Sequence, residues 1–200
     1  MKLTKSGLRS EQVKLNQLKM YLPTLQLKKA MLQTEVNATK NNIDKLYDEL
    51  LKEKSDIENF CELIVPTSNY NIFDFTKIKH VNKKYENIAG VEIPIFEDVV
   101  FVDEQYFLFD TPSWSDIALV KLKKMISLKE RIGVEEEKKT ALEKESREVS
   151  IRVNLFEKIL IPRTLTSIKK ISIFLGDQQL AAVSQAKVAK TKILEKQNDE

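Results

Sequence analysis

From Leu8 onward the apolar residues return every seven positions. Leu8, Leu15, Leu22, Val36, Ile43, Leu50, Ile57 and Ile64 share one place in the repeat, interrupted only by Lys29. Three residues on, Leu18, Leu25, Leu32, Leu46 and Phe60 fill a second place, with Glu11, Thr39 and Glu53 as exceptions. Lysine, glutamine and glutamate fill the intervening positions. Two apolar places per heptad predict a coiled-coil helix, roughly 85 Å long at a rise of about 1.5 Å per residue. Thr4 or Ser6 is placed to cap its start, and Pro66 to end it. The heptad phase is the same on both sides of Pro23, which predicts a bend there rather than a break.

The pattern changes between Pro66 and Ser113. Aromatic and β-branched residues collect, and "VEIPIF", "VVFV" and "YFLF" read as strands. Asp103 to Gln105 is a candidate hairpin turn, and Pro94 predicts an edge strand. The segment is a small cap, too short for an enzyme domain. From Ser115 the helical spacing resumes and runs almost to the end, with Ser113 or Ser115 as cap and Asp116 in the first turn.

A chain that leaves along one heptad helix and returns along another predicts a mainly α fold. Its form is a long antiparallel intramolecular coiled coil of two helices, joined by a small cap that contains a β-hairpin. The expected division is an N-terminal coiled-coil helix over 1–65, the cap over 66–114, and a C-terminal coiled-coil helix over 115–200. If the arms meet at the cap, Leu8 faces the neighbourhood of Ile171, and the residues after Gly176 overhang as a thin, alanine-rich tip.

One run of the second arm breaks its own rule. Val149, Val153, Phe156 and Leu160 keep the four-three-four spacing of a seam, and Ile168, Ile171 and Leu175 resume it. The step from Leu160 to Ile168 is eight residues rather than seven. One extra residue shifts the phase and locally alters the supercoil. Pro162 lies inside that slip, roughly level with Gln17 on the facing arm and one to two turns from Pro23. Both arms are therefore expected to bend at a similar level.

Composition narrows the function. Four glycines and five prolines among 200 residues, with 32% charged side chains, favour long helices over an all-β or doubly wound fold. The 33 basic and 30 acidic residues nearly cancel, which fits solvated helix faces and argues against a nucleic-acid footprint. A single cysteine, Cys61, excludes an intramolecular disulfide and fits a reducing cytosol. The opening "MKLTKSGLRSEQ" has no signal-peptide core, and no run is apolar enough to cross a bilayer. A soluble, cytoplasmic chain with no membrane insertion is expected.

No catalytic constellation emerges. None of Gly7, Gly90, Gly133 and Gly176 begins a phosphate-cradling GxxxxGK[ST] loop. His80 is the only histidine, so neither a His-based triad nor an HExxH zinc site can be built. It reads as a surface or loop residue, and Cys61 as a helix-interface residue. "EEEKK" at Glu135 to Lys139 reads as a solvated face. Lys187, Lys190 and Lys192 in the tip are too few for a phosphate-binding patch. No cofactor or metal is expected.

Several stretches resemble the D subunit of the V-type and A-type rotary ATPases. "LTKSGL" is similar to that family's opening motif, and "YENIAGVEIPIF" to the segment leading into its central hairpin. "IRVNLFEKILIPRTLTSIKKI" resembles its Arg-Val-Asn signature followed by an apolar helix and Ile-Pro. The first helix has "LQLKKAMLQTEV" and the tip "GDQQLAAVSQAK" where the family often carries more basic patterns, so contacts made by those charges are not carried over. The resemblance implies a non-catalytic central-stalk rotor shaft that couples ATP hydrolysis or synthesis to proton or sodium transport. It implies as partners the catalytic and non-catalytic ring subunits (A and B), the F subunit of the stalk and the membrane-ring adaptor, with the chain peripheral to the membrane. Candidate contact residues are Arg152, Asn154, Pro162, Arg163, Lys187 and Lys190. A prefoldin-like coiled-coil chaperone or a structural tether is the alternative.

Overall fold

The computed structural model describes residues 2–61, 72–102, 112 and 114–198. The expected helix end at Pro66, the turn at 103–105 and the strand at 106–109 lie outside them, as does the side chain of Cys61. The chain is mostly helical: α1 (Lys5–Cys61), a short 3-10 helix (Ile72–Thr76), β1 (Ile78–Ile88), β2 (Val91–Phe101), α2 (Ser115–Leu155) and α3 (Ile161–Asn198). A π-helical turn, Phe156–Leu160, joins α2 to α3 without a break.

Thr4 is the cap of α1. Its Oγ1 accepts the Gly7 amide at 3.1 Å and its carbonyl accepts the Leu8 amide at 2.9 Å, whereas Ser6 lies inside the helix. The turn is tight enough to need glycine, since a Cβ on Gly7 would stand 2.3 Å from the Lys2 carbonyl oxygen. At the start of α2 the first helical bond runs from the Ala118 amide to the Trp114 carbonyl. Ser115 is therefore the first helical residue rather than the cap, and Ser113 lies outside the described residues.

The heptad seam of α1 is buried as its spacing requires. Leu15, Leu18, Leu32, Val36, Thr39, Ile43 and Leu46 are buried. Every other seam position from Leu8 to Ile57 is half-buried, Glu11, Lys29 and Glu53 included. Each large apolar side chain so covered contributes about 1.5–3 kcal/mol relative to exposure. α1 continues through Pro23, which is exposed.

Two compact units divide these elements. The first comprises Met1–Leu27 and Val149–Glu200, and the second Lys28–Glu148. In the second unit, ion pairs Lys28–Glu145, Lys40–Glu143 and Glu53–Lys124 step up α1 while stepping down α2, so the helices are antiparallel. Thr39, buried mid-seam, donates its hydroxyl to the Glu35 carbonyl at 2.8 Å and leaves no unmet donor.

The hairpin corrects the strand expectations. "VEIPIF" and "VVFV" belong to one strand, β2, and its partner is the polar run Ile78–Ile88, which the sequence pattern left unassigned. The observed turn is Ala89–Gly90, flanked by the Ile88–Val91 pair. Both turn residues have positive φ, 52° and 82°, as the primed two-residue turns demand. Asn87 Oδ1 accepts the Gly90 amide at 2.9 Å. Pro94 sits opposite Tyr85 in a two-stranded sheet, where both strands are edges.

The hairpin lies on the helix pair of its own unit. Lys83 pairs with Glu137 of α2 at 2.7 Å, and the Lys123 ammonium stands 5.4 Å from the Phe101 ring centre. The tip reaches α1, where Ile88 borders a groove with Ala30, Met31, Thr34 and Glu35. Ile93 and Val99 bury the inner side of β2.

Candidate functional site

Four of the residues singled out in the sequence, Arg152, Asn154, Pro162 and Arg163, lie around the junction of α2 and α3, inside the first unit. Val149 and Val153 are buried on α2, and Ile171 is fully buried on α3. Between them lies the eight-residue step, and the helix absorbs it in the π-turn. There the Ile161 amide bonds to the Phe156 carbonyl, five residues back instead of four. A turn with one more residue than α-helix takes up one extra residue without rotating the helix beyond it.

Pro162 comes directly after that turn. In an α-helix its ring meets the carbonyl four residues earlier, and its missing amide leaves that carbonyl unserved. The wider turn relaxes the first conflict. The second is local too, because Pro162 donates nothing to Glu157 or Lys158, five and four residues before it. Hydroxyls support the backbone beyond: Thr164 Oγ1 donates to the Leu160 carbonyl at 2.7 Å, and Thr166 Oγ1 to the Pro162 carbonyl at 2.9 Å.

The slip also changes which residue faces inward. Strict alternation after Leu160 points to Arg163, yet Arg163 is exposed and Thr164 is buried. Leu160, Arg163, Thr164 and Ser167 border a groove of about 310 Å³ with Glu11 and Lys14 of α1. The spacing carried the signal for Thr164, since eight residues divide into two steps of four.

Arg152 and Asn154 are exposed in the last turns of α2, and Pro162 and Arg163 are exposed in the first turn of α3. These four bracket the π-turn. Lys187 and Lys190 are exposed roughly 36 Å or more farther along α3 at about 1.5 Å per residue. Every residue from Asp177 to Leu194 is exposed, including Leu180, Val183, Val188 and Ile193.

In the second unit, three ionisable groups are shifted by their hydrogen-bond partners. The hydrogen bond from Lys40 holds the Glu143 carboxyl below its ordinary value. The bond to Glu53 raises Lys124, and the bond to Glu136 raises the Tyr47 phenol. All three groups are close to solvent and flank the seam. Among the described residues, no group of three or more His, Cys, Asp or Glu is placed to hold a metal ion. No described helix is long and apolar enough to cross a membrane.

Comparison with known proteins matches the sequence to a family. The family profile described as the ATP synthase D subunit matches residues 7–191. The V-type ATP synthase D subunit of Chlamydia abortus is 43% identical over 199 residues, covering 99% of this chain and 96% of the relative. That of Chlamydia felis is 44% identical over 202 residues, with the same coverage of 99% and 96%. That of Chlamydia pneumoniae is 44% identical over 196 residues, 96% of this chain and 92% of the relative. With the profile and these relatives spanning nearly its whole length, the chain belongs to the family of ATP synthase D subunits.

Proposed function

We propose that the chain is a non-catalytic central-stalk subunit of a V-type rotary ATPase, serving as the rotor shaft between a nucleotide-hydrolysing ring and ion transport. The observation that carries the reading is the near-complete match to D-subunit relatives over a chain built of paired long helices. A shaft must resist twisting and must present different faces to the members of the ring around it. Antiparallel helices with a buried heptad seam supply stiffness, and unequal arms supply asymmetry. The exposed stretch from Asp177 to Leu194, with its outward Leu180, Val183, Val188 and Ile193, supplies apolar surface for a surrounding ring. Arg152, Asn154, Pro162, Arg163, Lys187 and Lys190 are the contact candidates. The hairpin and the helix pair of its own unit would meet the other stalk subunits, with the chain held at the membrane periphery only through its partners.

Co-expression with the ATPase operon of its host tests this. The tagged chain is expected to recover a ring whose subunits carry phosphate-binding loops, and the purified chain alone is expected to hydrolyse no ATP. Recovery of a homo-hexamer without any nucleotidase would reject the shaft and favour the chaperone-like alternative.

A further inference from the structure

The junction of α2 and α3 has properties that a stiff helix pair does not need. The seam residues on the second arm are Val149, Val153, Phe156, Leu160, Thr164, Ile168, Ile171 and Leu175. Removing any one of Ile161, Pro162 or Arg163 would restore strict four-three alternation through the whole series. The residues on either side are already in phase with α1 and would stay so. The extra residue therefore alters nothing downstream; its effect is confined to the turn that holds it.

That turn is weak on three counts. Its hydrogen bonds span five residues, with poorer geometry than those of an α-helix. None of Phe156 to Leu160 is buried, whereas Val153 and Thr164 on either side are. Beside it runs the groove bordered by Leu160, Arg163 and Thr164, so the facing helix does not fill the space. Pro162 adds position. A π-turn can drift along a helix by exchanging five-residue for four-residue bonds. A residue without an amide makes the adjoining turn the place where the α ladder has least to lose.

We propose that the π-turn Phe156–Leu160, held in place by Pro162, is a compliant joint in the second arm, where twist and bending are taken up between two stiff seam segments. The joint's place in a rotor rests on the proposed shaft function; its existence does not. The extra residue creates the joint, and the proline locates it.

Hydrogen exchange on the full chain separates these roles. Amides of residues 157–161 and 163 are expected to exchange at least about tenfold faster than those of 146–153 and 168–172, because opening there breaks weaker bonds and uncovers no fully buried side chain. Deleting Pro162 is expected to abolish that difference. Pro162→Ala keeps the residue count, so it is expected to keep fast exchange and spread it over neighbouring turns. Uniform protection across 146–172 in the natural chain would overturn the proposal. So would a folded deletion variant that exchanges as fast as the natural chain, or a Pro162→Ala chain that becomes fully protected. If the deletion variant does not fold, the natural chain and Pro162→Ala still decide the matter.

In the assembled ATPase, deletion of Pro162 is expected to narrow the angular spread of a bead on the shaft at each pause. An unchanged spread would remove the joint from the rotary cycle. Failure of the natural chain to join any ATPase ring would reject the shaft reading and leave the exchange result standing.

Discussion

Among the described residues, Ala89 is the non-glycine residue with a positive φ. At φ 52° it occupies the left-handed region, which costs an L-residue other than glycine about 1–2 kcal/mol. Asparagine tolerates that region, and Asn-Gly is the favoured pair for a primed hairpin turn. Ala89→Asn is expected to raise stability by about 0.5–1 kcal/mol, read as a higher urea midpoint with unchanged slope. The same residue explains why the hairpin was hard to place from sequence. Ala-Gly is a weak turn signal, and the bond from the Gly90 amide to Asn87 Oδ1 that supports it depends on a fold already formed. Thr164 is the opposite case. Its burial was implicit in the eight-residue step, but only the π-turn makes it, rather than Arg163, the inward residue.

Among the elements, α1 was the most legible, because a seven-residue period sustained over many turns admits one helical reading and one buried face. Leu32, fully buried in that seam, and Leu180, well exposed on α3, make the contrast measurable. Leu32→Ala is expected to cost about 2–5 kcal/mol, and Leu180→Ala to stay within about 0.5 kcal/mol, both by chemical denaturation of the free chain. β1 was illegible for a physical reason. Its side chains are mostly exposed, so nothing selects an alternating apolar pattern, and its pairing is set by β2 and the turn. The flanking ion pairs and the Tyr47–Glu136 hydrogen bond bear on pH. Glu143 is shifted down, so its contribution is present above the ordinary carboxylate value and is lost as pH falls through the lowered one. Lys124 and Tyr47 are shifted up, so theirs is present below the ordinary lysine and tyrosine values and is lost as pH rises through the raised ones. Thermal melting is expected to be flat between pH 6 and pH 9, as an order-of-magnitude window (~3 units) inside those limits. It should fall on both sides, and less steeply in high salt.

For the molecule as a whole, the sequence disclosed a mainly helical, out-and-back chain without recognisable catalytic chemistry. Among the candidate contact residues, Pro162 stood out through the broken seam spacing, and Arg152, Asn154 and Arg163 through their place beside it and in the family-like run. Arg152, Asn154, Arg163, Lys187 and Lys190 are exposed, and an exposed charge on a helix looks the same whether it meets water or a partner. One feature of the seam reaches beyond the fold itself. Glu11, Lys29 and Glu53 occupy seam positions and are half-buried. In a parallel pair of α1 helices from two copies, each would confront its own twin, like charge against like. Against the second arm of the same chain, Glu53 instead meets Lys124. Replacing all three with leucine is expected to increase concentration-dependent self-association relative to the natural chain, visible by sedimentation equilibrium. A charge in a seam that has its counter-charge on the other arm, as Glu53 has in Lys124, favours folding back over pairing with a second copy.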